Sequence, residues 1–229
     1  MKKDLTELVF IVDKSGSMHG LEEDTVGGLN STLDKNRALP GEVLVSLVLF
    51  DNTSEVVLDR KPLAKVPTLT TRDYQVGGCT ALLDAVGDAI LYHAHVQKIL
   101  PEEYRAEHMM FVIITDGMEN ASRRHTYKEV KRLIESHREQ GWEFLFLGAN
   151  IDAAKEAGRM GIAPNRSSQY VSDGEGSRVA YEAIAQAQCE TRTMGAPTAS
   201  WNAAPMADAT ARGGMPSKRG GKRGFWGRR

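Results

Sequence analysis

Residues 8–12 (Leu-Val-Phe-Ile-Val) and 110–114 (Met-Phe-Val-Ile-Ile) are unbroken apolar runs of mostly β-branched and aromatic side chains. Such a run is too short for a helix and lacks a polar residue at alternate positions, so it reads as a strand covered on both faces. Strands of that kind belong to parallel sheets, whose connections cross over one face or the other. The rest of the chain supplies the crossovers. Leu21, Val26, Leu29 and Leu33 share one side of a helix over 21–35, and Leu83, Val86 and Ile90 do so over 80–99, with Pro101 just beyond its end. Thr126 and Glu129 fit a capping box in front of a third helix, where Tyr127, Val130, Ile134 and His137 share a face and Gly141 is the stop.

Further strands fall at 42–51, with Val43, Val45, Leu47 and Leu49 at period two, and at 142–147. The turn Asp51-Asn52-Thr53 sends a short strand at 55–58 back antiparallel, and 168–171 reads as a last edge strand. Residues 63–76, rich in Thr and Pro, read as loop. A short helix is expected over 151–158. A second capping box, Ser172 to Glu175, opens a helix to residue 191. The expected fold is α/β and doubly wound: a mostly parallel six-stranded sheet with one short antiparallel edge strand and helices on both faces.

From about residue 194 the composition shifts to Ala, Pro, Gly, Ser, Lys and Arg without apolar periodicity. The expected division is therefore a domain over 1–193 and a disordered basic tail over 194–229. The chain has 29 basic and 30 acidic residues, but seven of the basic ones stand from Arg212 onward with no acid among them. The body is thus acidic and the tail basic. With Phe225 and Trp226 interleaved, the tail is a candidate for single-stranded nucleic acid, set against a purely solubilising role. Two cysteines, Cys79 and Cys189, make no disulfide framework. The amino terminus has the pattern of no signal peptide, and no run is long enough to span a bilayer, so a cytoplasmic protein without a membrane role is expected.

Three pieces carry chemistry. Asp13-Lys14-Ser15-Gly16-Ser17 closes the first apolar run, Gly77-Gly78-Cys79-Thr80 opens the helix over 80–99, and Thr115-Asp116-Gly117 closes the run at 110–114. Ligands of open α/β sheets bind at the carboxyl ends of strands, where two of these pieces stand. Carboxylates and hydroxyls on tight turns suit a hard divalent cation. Taken alone, each piece is equally a turn or a helix cap. Met109 and Met110 read as core and Cys79 as a small packing residue. Glu119 and Asn120 are outer groups of the site or a solvated loop, and His19 is a rim residue. His93 and His95, two apart on a helix, do not share a face and make no zinc site.

The pattern D-x-S-x-S, a threonine after a Gly-Gly turn, and T-D-G after a strand resembles the von Willebrand factor type A family and its metal-ion-dependent adhesion site. The resemblance covers residues 7–191, and all five family positions are filled: Asp13, Ser15, Ser17, Thr80 and Asp116. Cys79 beside the threonine departs from the usual small residue. The resemblance implies a cytosolic, single-domain, bacterial-type member holding Mg2+, with Mn2+ or Ca2+ as substitutes. In that family the hydroxyls are direct ligands, at least one aspartate acts through water, and an acidic side chain of a partner protein completes the coordination sphere. It also implies that movement of the site loops can shift the last helix, over 172–191. An enzyme is not expected. A metal-dependent hydrolase is the alternative, but no general base stands beside the cluster, and no nucleophile elbow, Walker loop or dinucleotide fingerprint is present.

Overall fold

In the computed structural model, which describes residues 1–213, six strands form one sheet in the order β3-β2-β1-β4-β5-β6. The strands are β1 (Lys2–Asp13), β2 (Glu42–Phe50), β3 (Ser54–Pro62), β4 (Ala106–Thr115), β5 (Glu143–Gly148) and β6 (Ser167–Gln169). All neighbours are parallel except β2 and β3. The helices are α1 (Glu22–Arg37), α2 (Leu82–Ile99), α3 (Tyr127–Arg138), α4 (Ala153–Arg159), α5 (Gly174–Met194) and α6 (Ala203–Ala211).

The two-sided burial of β1 decides the layering. Leu8, Phe10 and Val12 join the core under α1 and α5, while Val9 and Ile11 join the core under α2, α3 and α4. Met110, Val112 and Ile114 on β4 repeat the first set, and Phe111 and Ile113 the second. On the first face α1 and α5 touch at Gly28, where an added Cβ would stand 2.1 Å from the Tyr181 ring, so only glycine permits that approach. Met109 and Met110 are buried as expected.

From β1 the chain moves outward through α1 to β2 and β3, then returns by α2 to β4 on the other side of β1. The winding direction therefore reverses between β1 and β4, and the crevice beyond their carboxyl ends is the switch point where ligands of such sheets bind.

Several boundaries differ from the sequence expectation. β1 begins at Lys2, because Leu5 and Thr6 are also buried and pairing continues at that end. The antiparallel strand is not short. β3 runs for nine residues and contains an irregularity in its pairing with β2, where Arg60 adopts φ 42°. The cap of α5 is Asp173 rather than Ser172: its side chain accepts from the Gly176 amide at 2.8 Å. The capping box at Thr126 and Glu129 is present.

The largest correction concerns the segment after residue 193. Residues 195–213 are ordered, and α6 packs against α5 and β6. Trp201 is buried and donates from its indole nitrogen to the Asn165 carbonyl at 2.8 Å, and Asn202 donates to the Ser167 carbonyl at 2.6 Å. Arg212, grouped with the tail by composition, pairs with Asp173 at 2.7 Å. A single large anchor and an alanine-rich helix give little periodicity, so the sequence pattern hides them. The expected tail at 214–229 lies outside the described residues. Among the described residues no helix is long and apolar enough to cross a membrane.

Candidate metal site

All five sequence-assigned residues meet at the switch point. Asp13 ends β1, and its carbonyl is held by the Tyr74 hydroxyl. The carboxylate turns back onto its own loop: Oδ1 accepts the Ser15 amide at 2.7 Å, and Oδ2 accepts the Thr115 hydroxyl at 2.6 Å. Ser15 and Ser17 sit around a single 3-10 turn (Gly16–Met18) ahead of α1. Their hydroxyl oxygens are 3.1 Å apart, and Thr80 Oγ1 lies 3.1 Å from Ser15 Oγ. The Ser17 hydroxyl donates to Asp116 Oδ1. Ser15, Thr80 and both aspartates are buried, whereas Ser17 is exposed, so the cluster opens to solvent on the Ser17 side.

Backbone contacts lock the three pieces together. Gly16 N–H donates to the Gly78 carbonyl at 3.1 Å, and Gly77 N–H donates to the Lys14 carbonyl at 2.8 Å. Asn120 receives the Thr80 amide on its Oδ1 at 2.9 Å and returns its own amide to the Thr80 carbonyl at 3.0 Å. Glu119 accepts from the Leu83 amide at the start of α2, from the Ala121 and Ser122 amides, and from the Ser122 hydroxyl. Glu119 and Asn120 thus tie the loop after β4 to Thr80 and α2, while Asn120 itself stays exposed. Cys79 is exposed rather than packed. His19 is exposed and faces Glu22. His93 and His95 part as expected: His95 is exposed, and His93 is buried far down α2 against Glu7.

The electrostatics of the cluster are unbalanced. Burial pushes the Asp13 carboxyl above the usual range, against the pull of hydrogen bonds from Thr115 and Ser15, and the nearby Asp116 pushes the same way. Burial likewise raises Asp116. Neither has an ion-pair partner among the described residues, and Asp116 Oδ2 is buried with no hydrogen-bond partner at all. Two buried carboxylates without a counter-charge are costly unless a cation compensates them. The space for one is visible at Gly117. A Cβ added there would meet Thr80 Oγ1 at 3.1 Å, Ser17 Oγ at 3.4 Å and Asp13 Oδ2 at 3.9 Å, so the glycine leaves a cradle walled by oxygens. Those oxygens suit a hard divalent ion. No group of three or more His, Cys, Asp or Glu among the described residues could hold a metal. The cluster, two carboxylates and three hydroxyls, is not a group of that kind.

The sequence reading missed Thr115 and Tyr74 as supports of Asp13. Thr115 was in view as part of the third piece. Tyr74 stands in a stretch read as loop, where a lone buried aromatic is the one available signal.

No protein-family model and no curated protein matches the sequence. Solved structures match the architecture. The vWF domain of a type V pili tip protein from Porphyromonas gingivalis aligns with a TM-score of 0.60 at 11% identity, over 84% of this chain and 96% of that one. The fold is von Willebrand factor A-like. Proximal thread matrix protein 1 from the mussel byssus aligns with a TM-score of 0.58 at 13% identity, covering 82% of this chain and 47% of that one. This chain therefore spans about half the length of the mussel protein. A further structure of that protein has a zinc-occupied MIDAS motif, the metal-ion-dependent adhesion site, and aligns with a TM-score of 0.56 at 15% identity, over 82% of this chain and 47% of that one.

Proposed function

We propose that this chain is a divalent-cation-dependent protein-binding module of the cytoplasm, whose Mg2+ site is built by Asp13, Ser15, Ser17, Thr80 and Asp116. The observation that carries the reading is the pair of buried aspartates without a protein cation, one with an orphaned oxygen, facing three hydroxyls across an open cradle. Ser15, Ser17 and Thr80 would offer neutral oxygens, and Asp13 and Asp116 would offer charge, directly or through water. An ion held largely by neutral oxygens keeps an affinity for one more anionic ligand, and Ser17 marks the solvent side from which a partner's carboxylate would complete the sphere. The pilus-tip and thread-matrix roles named for the structural neighbours are consistent with recognition as the task. Asp13 is poorly placed as a general base, since each of its oxygens already accepts a hydrogen bond within the protein.

The test compares thermal unfolding of the full chain and of Asp13→Ala with and without Mg2+, with calorimetric titration of the ion. A ligand of the native state raises the melting temperature by mass action. The shift is expected in the wild type and absent from the variant; equal shifts in both would sink the site. For the partner, proteins captured on the full chain are expected to elute with a chelator. Capture indifferent to the chelator would remove the ion from recognition.

A further inference from the structure

Beside the cluster the surface opens into a polar cavity of about 530 Å3, lined by Asn52, Cys79, Asp84, Asn120, Arg123 and Arg124. Its wall is continuous with the ion cradle, since Cys79 precedes Thr80 in the chain and Asn120 grips both the amide and the carbonyl of Thr80. The cavity is rich in free donors. Asn52 Oδ1 accepts the Cys79 amide and Asn120 Oδ1 accepts the Thr80 amide, which fixes the orientation of both carboxamides. Among the described residues neither of their NH2 groups donates to a protein acceptor. The exposed Arg123 guanidinium likewise has no ion pair among the described residues. The one acid in the wall, Asp84, is buried and spent: its oxygens accept the amides of Arg123 at 3.0 Å, Arg124 at 2.9 Å and His125 at 2.9 Å. Arg124 is occupied by Asp88.

Two carboxamide NH2 groups and a free guanidinium around one cavity form an anion-binding donor set. Resting on the ion-dependent reading above, we propose that this cavity is a second acidic subsite, which takes a second carboxylate from the partner segment whose first carboxylate meets the ion. The favoured partner is thus a segment with two acidic side chains close together, and Arg123 is the residue that selects for the second. Its main-chain amide, not its side chain, supports Asp84, so the side chain can be removed without opening the loop.

The experiment uses the full chain, Mg2+, and fluorescent octapeptides of Gly and Ser carrying either one Asp or two Asp at separations of one to four residues. In the wild type, at least one two-acid peptide is expected to bind about five- to tenfold tighter than the one-acid peptide, the gain of one added hydrogen bond of ordinary net strength. Arg123→Ala is expected to erase that gain while leaving one-acid binding and the Mg2+-induced thermal shift unchanged, and Arg123→Lys to restore part of it. Amide chemical shifts of Asn120, Ser122 and Arg123 are expected to move with the two-acid peptide only. If one-acid peptides bind in Mg2+ and a second acid adds nothing, or if Arg123→Ala weakens both peptides equally, the subsite is overturned and the ion-dependent reading stands. If no peptide binds in Mg2+ while the thermal shift persists, the subsite and the carboxylate-partner reading fall together.

Discussion

Glu7 and Asp13 lie on the same strand, point to the same side of the sheet, and are both fully buried. Their surroundings are opposite. Glu7 accepts from Arg60 Nε at 3.0 Å and from Gln97 at 3.0 Å, and stands 2.6 Å from His93 Nδ1. Burial pushes its carboxyl up, but His93 and Arg60 together bring it below the usual range. Asp13 has neutral donors only, beside a second carboxylate, and is left raised. One end of β1 thus carries a finished network and the other an unfinished one. The finished network ties β1 to α2 and, over β2, to β3: the irregularity at Arg60 brings its amide to Ser46 Oγ at 3.0 Å and its guanidinium to Glu7. A buried charge that the protein neutralises itself belongs to the scaffold. One left without a counter-charge at a sheet's ligand edge calls for a ligand.

The comparison breaks first, and by the largest margin, if Glu7 proves dispensable. Glu7→Ala leaves the His93 ring and the partly buried Arg60 without their acceptor, and breaking a buried charge pair from one side costs about 3–5 kcal/mol. Urea unfolding measures it, with Glu7→Gln as the milder variant that retains an acceptor. Asp116→Asn is expected to do the reverse in metal-free buffer, leaving stability unchanged or raising it by about 1 kcal/mol, or ~2–4 °C, because it removes an uncompensated charge. A loss as large as that of Glu7→Ala would show that the Asp116 charge is already balanced.

Next in size is the response to the ion. At a Mg2+ concentration about a hundred times its Kd, the wild type is expected to gain about 2.7 kcal/mol, and Asp116→Asn none. Glu7→Gln should gain as much as the wild type from its lower starting point, since the two networks are separate. A response lost in Glu7→Gln would mean that the ends of β1 are coupled.

The acid side of the stability curve gives a smaller effect. A carboxylate depressed in the folded state adds stability that is complete above its unfolded pKa, about 4.3, and is lost as pH falls through the folded value. Wild-type stability is therefore expected to drop more steeply below about pH 4.5 than that of Glu7→Gln. Unfolding free energies across the acid range check this, and parallel curves would refute it.

These contrasts were unequally visible in the sequence. The mostly parallel sheet with helices on both faces was legible, because the continuous runs at 8–12 and 110–114 announce two-sided burial. Asp13, Ser15, Ser17 and Asp116 sit where those runs stop, whereas Thr80 opens a helix and was joined to them only by the family pattern. Glu7 was readable only as an acid at the edge of a strand. Its partners stand on α2 and on an irregular part of β3, and neither spacing nor composition links residues 7, 60, 93 and 97. Tyr74 was hidden for the same reason, since it acts through one long-range hydrogen bond, and Thr115 and Asn120 were in view without their bonds to Asp13 and Thr80. The helix at 203–211 escaped because its anchorage is mainly one tryptophan and one asparagine against the β6 edge. Local pattern reports periodicity and caps, whereas a three-dimensional contact between isolated residues leaves no local trace.

The finest test lies at Gly117, where the cradle can be filled without touching a charge. Alanine there needs no unusual backbone angle, since Gly117 is not among the glycines with positive φ. Its methyl would press on Thr80 Oγ1, 3.1 Å away, and on Ser17 Oγ, 3.4 Å away, closing space on the oxygen side of the site. Gly117→Ala is therefore expected to cost about 1 kcal/mol of metal-free stability, the low end for an added methyl whose neighbour can rotate, while weakening Mg2+ about three- to tenfold, read as a shifted midpoint in calorimetric titration. A crowded hydroxyl can rotate aside where it serves only as a hydrogen-bond donor, but not where it must hold a fixed ligand position. Unchanged Mg2+ affinity would therefore place the ion away from the Thr80 and Ser17 hydroxyls and leave the two carboxylates to bind it alone.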